Sequence, residues 1–204
     1  MRGGDLTGDG VDDLVLGIPQ SYRKFPGRLG GGIVGHAVAF FGPFVSGTIL
    51  DGTHPQVYDV QVLGSEWNHE LSAGLAVGDA TGDGIADLIV ADPVMARPED
   101  PADFWAGRVH VFLGPLAAGS VFDLESDLAD VTVYGPKYSA LGAAPAVADV
   151  SGDGIGDLVL AGDRAYVGGS APRWNAGEGM VLFGPLRRGT SIDLDSEEIG
   201  RAHV

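Results

Sequence analysis

Short apolar runs, each closed by Gly, Pro or Asp, set the rhythm of this chain. Residues 14–18, 88–91 and 158–161 are such runs, each preceded by an aspartate, and they predict buried strands. Val-rich segments ending in Gly-Pro at Pro43, Pro115 and Pro185 predict a second strand in each region. Val60-Gln-Val-Leu63 and Val131-Thr-Val-Tyr134 predict a third, and residues 74–77 and 144–148 a fourth. No window of helical length carries an apolar stripe at the helical period. The chain reads as all-β.

The same elements recur in the same order. Asp5-Leu-Thr-Gly-Asp-Gly-Val-Asp-Asp-Leu14, Asp79-Ala-Thr-Gly-Asp-Gly-Ile-Ala-Asp-Leu88 and Asp149-Val-Ser-Gly-Asp-Gly-Ile-Gly-Asp-Leu158 align without gaps, at spacings of 74 and 70 residues. Each is followed by a Gly-Pro segment: Gly35 to Pro43, Gly107 to Pro115, Gly177 to Pro185. A weaker echo links Phe122-Asp-Leu-Glu-Ser126 with Ile192-Asp-Leu-Asp-Ser196. A fixed period of this length decides architecture. Four short antiparallel strands in about 70 residues, repeated, describe blades of a β-propeller. The units are expected at 1–63, 64–134 and 135–204. Because four residues precede Asp5, the first unit is expected to lack the strand before its loop. Two full blades and most of a third are too few to close a ring, so remaining blades of a longer polypeptide are expected as partners.

Composition narrows the classes. Acidic residues number 28 against 12 basic ones, a formal charge of −16, which disfavours nucleic acid and anionic membranes. Cysteine is absent, excluding disulfides and thiolate metal sites. No apolar stretch is long enough for a membrane helix, so membrane insertion is not expected. The 34 glycines and 12 prolines fit many tight turns.

The acidic loop, D-x-[T/S]-G-D-G-x-x-D, carries the candidate chemistry. Aspartates at positions 1, 5 and 9, a hydroxyl at position 3 and the carbonyl at position 7 present oxygen ligands from alternate residues. Glycine at position 6 permits the reversal. All-oxygen ligation with several carboxylates suits Ca²⁺, with three structural ions expected. Two carboxylates about 4 Å apart repel by roughly 4 kcal/mol at an effective dielectric near 20, a penalty that a divalent cation reverses. Three other readings compete. An EF-hand needs an acid at position 12, where Leu16, Val90 and Leu160 stand. Solvated hairpin turns would need only Asp and Gly, but the loop occurs three times. A hydrolase site would need a recurring His, Lys or Ser nearby, and none recurs.

At these residues the chain resembles the FG-GAP repeat family, whose best-known members form the seven-bladed propeller of integrin α subunits. The acidic loop running into Asp-Leu-Val-Leu-Gly-Ile-Pro19 or Asp-Leu-Ile-Val-Ala-Asp-Pro93 matches the "GAP" end, and Leu63-Gly64 and Tyr134-Gly135 stand in place of "FG". The third unit reads Leu160-Ala-Gly-Asp163 and loses the Pro. The resemblance implies structural Ca²⁺ held between the first and second strands of a blade. The implied ligands are Asp5, Thr7, Asp9, Val11 (carbonyl) and Asp13 in the first loop. They are Asp79, Thr81, Asp83, Ile85 and Asp87 in the second, and Asp149, Ser151, Asp153, Ile155 and Asp157 in the third. It further implies a secreted or cell-surface, non-enzymatic recognition or adhesion module. Similar repeats beside the catalytic domain of some phospholipases imply the alternative, an accessory propeller of a larger hydrolase.

The long connections 20–34, 94–106 and 162–178 should lie on the rim opposite the loops. They hold Tyr22, Arg23, Phe25, Arg97, Trp105, Arg173 and Trp174, a composition that suits recognition of a protein or glycan. The competing reading is that these aromatics fold back onto neighbouring blades. The five histidines read as satisfied structural residues, with no carboxylate at ligand spacing.

Overall fold

The computed structural model describes residues 1–25, 31–51, 57–65, 69–97, 105–126, 128–164 and 175–195. Among these the protein is all-β, with no helix. The first repeat contributes β1 (Arg2–Gly4), β2 (Asp13–Ile18), β3 (Tyr22–Lys24), β4 (Gly31–Ile33), β5 (His36–Phe40) and β6 (Val60–Leu63). The second contributes β7 (Gly74–Gly78), β8 (Asp87–Asp92), β9 (Arg108–Phe112), β10 (Ser120–Asp123) and β11 (Val131–Tyr134). The third contributes β12 (Ala146–Ala148), β13 (Asp157–Gly162), β14 (Glu178–Leu182) and β15 (Thr190–Asp193).

Three sheets follow the repeats, in the orders β1-β2-β5-β6-β10, β7-β8-β9-β11-β15 and β12-β13-β14, with β3-β4 a separate ribbon. Adjacent strands within a repeat pair antiparallel, as the strand signatures led one to expect. Two features differ. The first unit does have a strand before its loop: Arg2, Gly3 and Gly4 pair with Val15, Leu14 and Asp13, three residues being enough to add an edge. Each of the first two sheets also gains a fifth strand from the next repeat. Ser120–Asp123 runs parallel to Val60–Leu63, and Thr190–Asp193 parallel to Val131–Tyr134. The echoed Phe122 and Ile192 segments are these strands.

Apolar alternation places two cores between the sheets. Val15, Ala37, Ala39, Val60 and Val62 of the first sheet meet Leu75, Leu88, Val90 and Phe112 of the second. The second sheet's other face, with Ile89, Val109, Val111, Val131 and Val133, meets Leu158, Leu160, Met180 and Leu182 of the third. The sheets therefore stack face to face, with the three acidic loops at one rim.

Candidate functional site

Each acidic loop closes the antiparallel pair that flanks it: β1-β2, β7-β8 and β12-β13. Within the loop, the position-1 carboxylate organises the backbone. Asp5 accepts N–H bonds from Gly8 (2.7 Å) and Gly10 (2.8 Å) and the Thr7 hydroxyl (3.2 Å). Asp79 accepts from Gly82, Gly84 and Thr81, and Asp149 from Gly152 and Gly154, in the same way. This wrapping requires left-handed backbone: φ is +78° at Gly8 and +86° at Gly10, with matching values at Gly82, Gly84, Gly152 and Gly154. The position-5 carboxylates Asp9, Asp83 and Asp153 each accept from the N–H two residues on, at Val11, Ile85 and Ile155.

The position-9 aspartates have a different job. Asp13, Asp87 and Asp157 are fully buried. Asp13 accepts from Leu6 N–H (2.8 Å) and from Gly42 N–H (2.9 Å). Asp87 does so from Ala80 and Gly114, and Asp157 from Val150 and Gly184. The two sequence signatures thus meet: the Gly of each Gly-Pro segment donates to the last Asp of the acidic loop. A Cβ there would come within 2.7 Å of Val11 at Gly42 and within 2.6 Å of Ile85 at Gly114, so a side chain is excluded.

Charge is concentrated in these loops. At Asp87, burial above all, and then the charges of Asp79 and Asp83, push the carboxyl up to about 6 against the Gly114 and Ala80 N–H bonds. Burial with Asp9 and Asp5 raises Asp13 likewise. Asp5 and Asp79 go the other way: burial opposes ionisation, but the loop N–H groups and the Thr hydroxyl hold them below the usual range. The crowding of like charge and the all-oxygen donor set fit a hard cation. The side chains are turned toward backbone N–H groups, however, and among the described residues no three of His, Asp and Glu gather as a metal-holding group. Ca²⁺ at each loop would be held by the position-1, -5 and -9 aspartates with the Thr or Ser hydroxyl and the position-7 carbonyl.

The opposite rim rearranges what the sequence suggested. Arg23 donates to Gly64 O (2.8 Å) and forks onto Asp123 of β10, with its guanidinium 4.8 Å from the Phe25 ring centre. Phe25 itself is buried. Arg97, also buried, repeats the arrangement on Gly135 O (3.0 Å) and Asp193 of β15. The two arginines, expected to face a partner, instead fasten each tail strand to the preceding sheet, and Phe25 is buried beneath Arg23. Desolvation opposes the inward contact and is offset only because carboxylate and carbonyl together satisfy the guanidinium. Tyr22 is exposed on the β3-β4 ribbon, opposite exposed Ile33. Trp105 is half-buried beneath the Arg164 guanidinium, 3.7 Å from its ring centre. Arg173 and Trp174 lie outside the described residues. One histidine does have a carboxylate: buried His69 Nδ1 is 3.3 Å from Asp92 Oδ2, a proximity that joins residues 23 apart and that spacing did not reveal.

No family model matches the chain. Over its whole length it is 30% identical to a phosphatidylinositol-glycan-specific phospholipase D of Dictyostelium discoideum, of which it covers 22%. It is 29% identical, over 89% of its length, to the Rattus norvegicus phosphatidylinositol-glycan-specific phospholipase D, covering 21% of that protein. It is 24% identical, over 98% of its length, to integrin alpha-PS2 of Drosophila melanogaster, covering 12%. The chain therefore spans about a fifth or less of the length of these curated relatives.

Proposed function

We propose that this chain is a segment of a calcium-braced β-propeller of the FG-GAP kind, acting outside the cell as a non-catalytic module for recognition of a protein or glycan. The observation that carries this reading is the loop repeated three times: a charge-crowded turn closing one strand pair, with its last Asp bonded to a Gly-Pro N–H. The likeness to integrin alpha-PS2 supports the recognition role. The likeness to phosphatidylinositol-glycan-specific phospholipases D favours a second reading to a similar degree, an accessory propeller with catalysis elsewhere in a larger polypeptide.

Further blades are part of the proposal. Val181 and Phe183 on the third sheet are 42% and 67% exposed, whereas Val111 and Leu113, at the same places in the second, are 0% and 7% exposed under the third sheet. A fourth sheet of the same kind would cover them.

Thermal melting with Ca²⁺ or with chelator tests the reading. A ligand that binds only the folded state adds about 2.7 kcal/mol per site at a hundred times its dissociation constant. We expect a higher melting temperature in Ca²⁺ than in chelator or Mg²⁺. A folded sample with the same melting curve in all three would refute the metal sites. Deleting the segment from its parent polypeptide separates the two readings: loss of hydrolase activity favours the accessory role.

A further inference from the structure

Three arginines among the described residues are matched to acids: Arg23 to Asp123, Arg97 to Asp193 and Arg188 to Asp130. Arg164 differs from these three. It is exposed, and among the described residues no carboxylate pairs with it; its guanidinium lies instead over the Trp105 ring at 3.7 Å. Stacking fixes the plane of the fork and leaves its N–H donors at the edge, the geometry that accepts an oxyanion in a bidentate fashion.

The platform under this fork is built from strained backbone. Trp105 has φ +80°, Tyr138 +59° and Ala140 +53°, a left-handed region that side chains of this kind rarely enter. Hydrogen bonds hold it: Trp105 N–H to Val94 O (3.3 Å), Ala140 N–H to Trp105 O (2.6 Å) and Arg164 N–H to Ser139 O (3.1 Å). Three connections from two repeats are therefore tied together where Trp105, Tyr138 and Arg164 emerge. Tyr138 is 46% exposed and Lys137 beside it is exposed, so aromatic surface and two cations share the site, with Asp163 as the nearest exposed acid in sequence.

We propose that Trp105, Tyr138 and Arg164, with Lys137, form a binding site for an anionic sugar. The guanidinium, backed by the Trp105 ring, would take the oxyanion bidentately, and the exposed Tyr138 ring the apolar C–H face of the sugar. The idea rests on the recognition reading above and names the ligand class. A site for the oxyanion alone would not need the aromatic surface, and an acidic peptide would supply no flat C–H face.

The Trp105 indole N–H resonance, assigned by comparison with Trp105→Phe, is the probe in a ¹H–¹⁵N titration of the full chain with mannose 6-phosphate, mannose, inorganic phosphate and an oligoglutamate peptide. We expect mannose 6-phosphate to bind at least tenfold more tightly than mannose or phosphate. Arg164→Lys should weaken it about tenfold, because an ammonium cannot fork, with an unchanged melting curve. An indole that no ligand shifts overturns the proposal, as do phosphate equal to the sugar phosphate, a preference for the peptide, or Arg164→Lys binding like wild type. None of these outcomes bears on calcium, whose test is the melting comparison.

Discussion

His110 offers the sharpest test of how this core is built. It stands in β9 where the other two repeats have Val38 and Met180, facing Val90 and Thr132 across the strands. The ring is 6% exposed and Nδ1 has no hydrogen-bond partner. Burial first, and the charge of Arg108 second, lower its pKa from 6.5 to about 3. The folded protein therefore holds a neutral imidazole, whereas the unfolded chain takes up a proton below about 6.5. Stability is complete above that pH and is lost as pH falls toward 3. Linkage between these two values gives a loss of about 2 kcal/mol from pH 7 to pH 5. His110→Met, the residue of the third repeat, removes that loss. At pH 7 it should be neutral or stabilising by up to about 1 kcal/mol, because an unsatisfied nitrogen is replaced by apolar atoms. Urea unfolding of both proteins at pH 7 and pH 5, at one fixed Ca²⁺ concentration, gives the four free energies. Carboxylate titration is common to both and cancels in the comparison. If the difference between variant and wild type is the same at both pH values, His110 is not buried as a neutral base and the reasoning fails.

Two further predictions concern the clamps and the loops. Arg97→Ala should cost about 1–2 kcal/mol, since it strips Gly135 O and Asp193 of a shared donor while Asp193 stays partly solvated. A double-mutant cycle with Asp193→Asn should show coupling, and additive effects would mean that the two do not interact. In the second loop, Asp87→Asn should destabilise by about 1–3 kcal/mol even in chelator, because a buried carboxylate with two N–H donors loses one acceptor. Asp83→Asn, at an exposed position, should instead reduce only the increment that Ca²⁺ adds to the melting temperature; a loss of equal size in chelator would contradict the division of roles.

Much of the fold was legible because it is written locally. Apolar runs of strand length, turn glycines and the Asp spacing act over a few residues, so the elements through β14 fall where alternation and turn chemistry put them, β1, the β3-β4 ribbon and β10 excepted. Gly10, Gly84 and Gly154 are the same case, since a left-handed φ is a demand a single position makes of its residue. The oxygen-rich composition of the loop was visible for that reason too. The division of labour inside it was not, because burial of Asp13, Asp87 and Asp157 depends on Gly42, Gly114 and Gly184 arriving from another strand.

What the amino-acid sequence determined by itself is the repeat, its strands and the oxygen-rich turns. Tertiary structure alone decided where β10 and β15 go, since a four-residue strand has no local preference between its own sheet and the one before it. It likewise turned Arg23 and Arg97 inward, toward acids 100 and 96 residues away. It left Arg164 on the surface over Trp105. An arginine looks the same in a sequence whether its partner is a distant aspartate, an indole or a ligand; the choice belongs to whichever group the folded backbone brings within reach.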